Sequence, residues 1–266
     1  MPDPILTFVH ISDTHIPSDP NHNTGKATPS PHIGAQALVQ QINRLPFEPD
    51  FVLHTGDVIY DRDPEAYATS QEILGDIKYP LYYVAGNSDV SDALQRVLVR
   101  AGSPVMPFHY EFEVNGVQIV IVDSNGPVEP PAGFVTEQQL TWLNALCAAN
   151  DDRPLVIAIH HNPRPGGIPW LDDVTGIQNT EDFHAAILPA KARLCGVFFG
   201  HVHQNLDIFR DGILYCSTLS SWTQFHAWPG QAETTPDPYD GPGFSVVTIY
   251  EGQTLIRRHR FVPQQS

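Results

Sequence analysis

Carboxylate, imidazole and amide side chains recur in this chain at short, regular spacings. The segments are Asp13-Thr14-His15, Gly56-Asp57-Val58-Ile59-Tyr60-Asp61, Gly86-Asn87-Ser88-Asp89, His160-His161-Asn162-Pro163 and Gly200-His201-Val202-His203. These are hard and borderline metal donors, and residues two apart on an extended backbone face the same side, so Asp13 with His15, and His201 with His203, can each aim at one ion. Asp57 carries two oxygens and can bridge two cations, while the Asn87 amide oxygen is a neutral hard donor. Taken singly, any of these groups reads equally as a structural histidine or a turn-forming asparagine. Seven of them at the ends of apolar runs describe a pocket for two metal ions and make a hydrolytic enzyme the leading expectation.

The elements that must position them follow from hydrophobic patterning. Apolar, β-branched runs at 5–11, 50–54, 81–85, 117–122, 155–159 and 194–199 are short enough for buried strands, and each metal-type segment begins where one of them stops. Helical spacing fills 34–45, 63–77, 91–101 and 136–149, the last opening on a Thr136 to Gln139 capping-box signature. Asn115-Gly116 and Asp211-Gly212 supply the positive φ angles of two-residue hairpin turns, and a third hairpin joins 244–250 to 254–261. Mixed pairing of this kind predicts an α/β fold with two stacked sheets and helices outside.

Composition narrows the function. The 266 residues suit a single domain, 1–266, with loop insertions near 162–179 and 217–243, and 41% hydrophobic residues suffice for a core. With 14 Lys and Arg against 30 Asp and Glu, the formal charge of −16 argues against a nucleic-acid polymer or an anionic membrane as partner. Three scattered cysteines do not form a disulfide framework. There is no basic stretch followed by a long apolar core at the N-terminus, and no apolar run of the roughly 20 residues that span a bilayer, so a soluble cytoplasmic protein is expected.

The motif order D-x-H, G-D-x-x-x-D, G-N-x-D, a later His, and G-H-x-H resembles the calcineurin-like metallophosphoesterases across residues 5–261. Within that superfamily, His160-His161-Asn162-Pro163, the stretch 167–172, Asn179 and Ser217-Thr218 look like the class III cyclic nucleotide phosphodiesterase group, which includes glycerophosphodiesterases. The resemblance implies a four-layer α/β/β/α sandwich of two mixed sheets. One ion would be held by Asp13, His15, Asp57 and His203, and the other by Asp57, Asn87, His160 and His201. Two divalent or mixed-valence transition metal ions (Mn, Fe, Zn or Co) bring +4 against −2 from Asp13 and Asp57, which supplies the positive charge an acidic protein needs for a phosphate.

The implied activity is hydrolysis of a small phosphodiester, of the cyclic nucleotide or glycerophosphodiester type, by metal-activated hydroxide. A phosphomonoesterase and a non-catalytic interaction module of the same fold are the alternatives, and a homo-oligomer is possible for any of them. Asp57, Asn87 and His161 are the residues expected at the reacting phosphate, with Asn87 and His161 as substrate contacts. Ser88 departs from the pattern, standing where G-N-H-D places a histidine; His161 and His22 are candidates to replace that imidazole. Asp61 is expected either to support a ligand or to cap the next helix, and the acidic stretch 168–173 to form a cap-like loop. Trp222, Phe225 and Trp228 could stack a nucleobase, cover the site or form a dimer contact. His10 and His54 are expected in the core.

Overall fold

The computed structural model describes residues 3–22 and 30–263. Thirteen strands, five α-helices, one π-helical turn and one 3-10 turn form among these residues. The strands run β1 (Leu6–Ile11), β2 (Phe51–His54), β3 (Leu81–Tyr83), β4 (Tyr110–Val114), β5 (Val117–Ile121), β6 (Leu155–Ala158), β7 (Leu194–Phe199), β8 (Asp207–Arg210), β9 (Ile213–Ser217), β10 (Phe225–His226), β11 (Thr235–Pro236), β12 (Gly243–Tyr250) and β13 (Gln253–Arg260). The helices are α1 (Pro31–Asn43), α2 (Ala66–Leu74), α3 (Ser91–Val97), α4 (Glu137–Ala148) and α5 (Thr180–Ile187).

One sheet has the order β13-β12-β1-β2-β3 and the other β4-β5-β6-β7-β9-β8. Strands β1, β2 and β3 are parallel, as are β5, β6, β7 and β9, while hairpin strands complete the edges antiparallel. Alternation along β1 shows how the layers close. Leu6 and Phe8 enter a core shared with Ile119, Ile121, Val156 and Phe198 of the other sheet, whereas Val9 and Ile11 face α1 and α2. The outer face of the second sheet buries Val120, Ile157 and Val197 against Leu143 of α4 and Phe183 of α5. Strands covered on both faces must be apolar throughout, which is why they read as continuous runs rather than alternating ones. The result is the expected α/β/β/α sandwich, and no helix of the described residues is long and apolar enough to cross a membrane.

Local expectations held in part. Asn115 and Gly116 lie at φ 52° and 78°, and Asp211 and Gly212 at 54° and 88°, closing the hairpins as anticipated. Thr136 caps α4 by accepting from the Gln139 N–H at 3.3 Å, but Gln139 does not return the bond expected of a capping box. It is fully buried, and its amide instead joins the Asp123 backbone, accepting from its N–H at 3.0 Å and donating to its carbonyl at 2.8 Å. A tertiary demand at the end of β5 wins over the local one. Helices α2 and α3 are shorter than the predicted 63–77 and 91–101. Within 162–179 lies a π-helical turn, Trp170–Val174, and within 217–243 the short β10–β11 ribbon; neither was anticipated, nor was α5.

Candidate metal centre and cavity

Every candidate ligand leaves the carboxyl end of a strand, where the parallel sheets of both layers open on one side. Asp13 and His15 follow β1, Asp57 follows β2, Asn87 follows β3, His160 follows β6, and His201 with His203 follows β7. The β1 and β2 loops are laced together: Asp13 N–H donates to the Gly56 carbonyl at 2.9 Å and His15 N–H to the Asp57 carbonyl at 3.0 Å. The layers are joined at the site by the His201 N–H, which donates to the Asp13 carboxylate at 3.0 Å. Gly56, at φ 99°, and Gly86 make the close approach possible, since a Cβ on Gly56 would lie 2.6 Å from His160 Nδ1 and one on Gly86 2.2 Å from Asp57 Oδ1.

Two groups of donors result. Asp13, His15 and His203 form one, and Asp57, His160 and His201 the other, with all ligand atoms of each group within 4.8 Å of one another and all six residues buried. Asp57 lies between them, with Oδ2 3.6 Å from His15 Nε2 and Oδ1 3.4 Å from His160 Nε2. Asn87 joins the second group through Oδ1, 3.1 Å from His160 Nε2.

The donor set fits cations. His160 and His203 each give Nδ1–H to a carbonyl, Thr55 and Thr223 respectively, at 2.7 Å, which turns the Nε2 lone pairs inward. In its neutral form, His160 then opposes a lone pair to the Asn87 oxygen, an arrangement that a cation between them makes favourable. His201 Nε2 is buried without a hydrogen-bond partner. Burial pushes the His15 imidazole down to about 4 and that of His201 down to about 3, which keeps both available as neutral donors. Burial would raise the Asp13 carboxyl, but the imidazoles around it, first His203 at 3.4 Å and then His160 and His15, together outweigh it and hold the group below the usual carboxylate range. Asp13, His15, Asp57, His201 and His203 all have φ between 45° and 68°. Left-handed backbone costs about 1 kcal/mol or more for each such residue, so the fold holds strain where the donors converge.

The donors floor a cavity of about 240 Å³. Its walls include Tyr60 and Asp61 from the β2 loop, Trp170 and Thr175 from the π-helical turn and its end, and Trp222 and Phe225 from the segment after β9. Trp222 and Phe225 were anticipated from sequence, but Trp228 is 63% exposed and does not line the cavity. Tyr60 and Trp170 were missed. The signal for Trp170 was its place in a long loop between ligands; for Tyr60 there was none beyond adjacency to Asp57.

Other singled-out residues sit as follows. His161 is fully buried, its Nδ1 2.7 Å from Ser124 Oγ and its Nε2 3.0 Å from the Pro131 carbonyl, so neither nitrogen is left for a substrate. His22 packs on the Tyr60 ring at 4.7 Å and does not line the cavity. Asp61 caps no helix: α2 starts without a side-chain cap, Asp63 only accepts from the Glu65 N–H just ahead of it at 3.1 Å, and Asp61 lines the cavity. Asp172 accepts from the N–H groups of Gly166, Gly167 and Ile168 at 2.7 to 2.9 Å, so the acidic stretch is a built loop. Asp89, which sequence reasoning left without a role, accepts from Gly86 N–H at 2.8 Å and Val58 N–H at 3.1 Å, clamping the β2 and β3 loops. His10 and His54 are buried in the core as expected.

The sequence pattern of calcineurin-like phosphoesterases matches residues 6–205, which contain all seven donors. The chain belongs to the calcineurin-like phosphoesterase family. Phosphoesterases of this family use a dinuclear metal centre, in keeping with the two donor groups. Among similar phosphoesterases, the 3',5'-cyclic adenosine monophosphate phosphodiesterase CpdA of Pseudomonas aeruginosa is 26% identical over 254 residues, covering 95% of this chain and 89% of that protein. The glycerophosphodiester phosphodiesterase GpdQ of Enterobacter lignolyticus is 28% identical over 241 residues, covering 88% and 83%. The fold is shared with the purple acid phosphatase PPD1 of yellow lupin at a TM-score of 0.67 and 14% identity; the match covers 97% of this chain and 52% of that one.

Proposed function

We propose that this phosphoesterase hydrolyses phosphodiesters of small organic alcohols at two transition metal ions. One ion would be held by Asp13, His15, Asp57 and His203 and the other by Asp57, Asn87, His160 and His201, and manganese, iron, zinc or cobalt would suit these mixed nitrogen and oxygen donors. The observation that carries this reading is the Asp57 carboxylate, set with one oxygen toward each imidazole group. When bound, the ions lower the pKa of water toward neutrality and offset phosphoryl charge.

The chain's own groups do the rest. Carbonyls of Thr55 and Thr223 hold His160 and His203 in one tautomer and orientation. Ser88 and its backbone N–H orient Asp57. Aromatic walls exclude water from one side of the cavity and present apolar surface to an organic arm of the substrate. The names of the phosphodiesterase relatives, matched over most of both chains, support a diester over a monoester. Three unbridged cysteines, Cys147, Cys195 and Cys216, support a reducing cytoplasmic setting.

The test compares bis(p-nitrophenyl) phosphate with p-nitrophenyl phosphate, on chelated protein and with manganese restored, for wild type and Asp57→Asn. Manganese-dependent preference for the diester, lost in the variant, is expected. Preference for the monoester would overturn the reading.

A further inference from the structure

His54 closes the apolar strand β2, is fully buried, and lies over the Tyr83 ring at 6.0 Å between centroids. A phenyl ring could fill that space, but it could not make the hydrogen bonds found here. The Gly56 N–H, which can only donate, reaches His54 Nδ1 at 3.2 Å, so Nδ1 carries the lone pair and the ring proton sits on Nε2. Nε2–H then donates to Thr14 Oγ1 at 3.0 Å, and the Thr14 hydroxyl gives its own proton to the Val58 carbonyl at 2.9 Å. Each proton in this chain of bonds has one place, and Thr14 is fully buried as well. The Gly56 N–H has no other acceptor among the described residues.

The bonds begin on the residue before Asp57, pass through the residue between Asp13 and His15, and end on the residue after Asp57. They enclose three donors with left-handed backbone, φ being 54° at Asp13, 45° at His15 and 54° at Asp57. Such conformations persist only where surrounding contacts over-determine them. We infer that His54 is a positioning residue for the metal centre: in its Nε2–H tautomer it ties the Asp57 loop to the loop bearing Asp13 and His15, and so sets the shared carboxylate against one donor group. The inference rests on the two-ion reading above. A neutral imidazole suits the task because it offers a lone pair and an N–H at separate points of one rigid ring, whereas an amide presents both at a single end. The two partners act unequally. Thr14 holds only the Asp13 and His15 loop, while His54 also holds the residue before Asp57, which faces both donor groups.

The experiment titrates manganese calorimetrically into chelated wild type, Thr14→Val, Thr14→Ser, His54→Phe and the double variant Thr14→Val with His54→Phe. Thr14→Val keeps the branched shape and loses the hydroxyl; it is expected to weaken one manganese ion by about tenfold or more and the other by less than about threefold, with Thr14→Ser restoring the affinity. His54→Phe also frees the Gly56 N–H and is expected to weaken both ions by about tenfold or more. Adding Thr14→Val to His54→Phe should then cost little further, because the bond between the two side chains is already gone. Isotope-labelled histidine in the metal-free protein gives a readout independent of metal: the His54 ring, assigned by its disappearance in His54→Phe, should carry its proton on Nε2. An Nδ1-protonated ring, or fully additive losses in the double variant, overturns the inference. If His54→Phe does not fold, the contrast between Thr14→Val and Thr14→Ser decides. Wild type that binds no manganese sinks the two-ion reading and this inference with it, whereas wild type that binds two ions, with Thr14→Val indistinguishable from it, sinks this inference alone.

Discussion

The Ser88 side chain is turned onto Asp57: its Oγ donates to one carboxylate oxygen at 3.0 Å while its backbone N–H donates to the other at 2.7 Å. The hydroxyl therefore orients the carboxylate that lies between the two donor groups and is not turned toward a leaving group. An imidazole here would face the cavity that Ser88 lines. Ser88→His should raise turnover of an alkyl-leaving-group diester more than that of a nitrophenyl one, because only the poor leaving group needs a proton. General-acid assistance is worth on the order of a hundredfold or more in such cases. Equal or lower rates on both substrates would show that the missing imidazole does not limit turnover.

Asp57 touches both donor groups, so its loss should uncouple both ions. A ligand at a hundredfold excess over its Kd stabilises the native state by about 2.7 kcal/mol. For a chain of this size that is about 5 to 10 °C in Tm per site. Manganese should raise the melting temperature of wild type by this order, and Asp57→Asn should remove most of the gain. Retention of the full shift in the variant would mean that the ions bind elsewhere.

The approach of the β3 loop to Asp57 depends on the missing side chain at Gly86, where a Cβ would meet Asp57 Oδ1 at 2.2 Å and its backbone nitrogen at 2.3 Å. Gly86→Ala should cost about 1 to 3 kcal/mol in urea denaturation and weaken metal binding as well. Gly102, where an added Cβ would meet nothing within 4 Å, is the control, and Gly102→Ala should change neither measurement.

How far these features could be read from sequence depended on whether the determining contacts were local. The donors were legible because each begins where an apolar run stops, and a strand end is a local property. The Asn115-Gly116 and Asp211-Gly212 turns were legible because positive φ is written into those residue types. Gln139 misled, since its bond to Asp123 overrides the helix-cap pattern and no local rule contains it. That Phe225 could cover the site was anticipated, but its pairing with Trp170 was out of reach for the same reason. These two residues are far apart in sequence, and the loops bearing them are tied by the Gly230 N–H on the Gly167 carbonyl at 2.8 Å. Asp61 was taken for a cap or a ligand support because its neighbours in sequence invite that, whereas its left-handed backbone sends it to the cavity.

Asp123 offers a pH test away from the metal groups. Burial raises its carboxyl above the ordinary 3.8, against the N–H bonds it accepts from Asn125 and Phe108. A raised folded-state pKa means that the native state holds the proton more tightly than the unfolded chain. The penalty for ionising Asp123 is therefore full above the folded pKa and absent below the unfolded one. The stability of wild type relative to Asp123→Asn, from urea titrations, should rise as pH falls through that window. A difference that is flat or declines on acidification would contradict the assignment.

The cavity wall contributed by the π-helical turn rests on one carboxylate. Asp172 accepts from three successive N–H groups, those of Gly166, Gly167 and Ile168, and thereby sets the turn that carries Trp170 and Thr175. Hydrogen bonds to a charged acceptor contribute about 1.5 to 3 kcal/mol each, so Asp172→Ala should loosen this segment selectively. Asp172 is not among the donors, and the metal floor is carried by other strands. The expected signature is a raised KM with manganese stoichiometry unchanged, together with faster proteolytic cleavage within 165–175. If KM holds while metal is lost, the turn supports the centre and not the substrate wall.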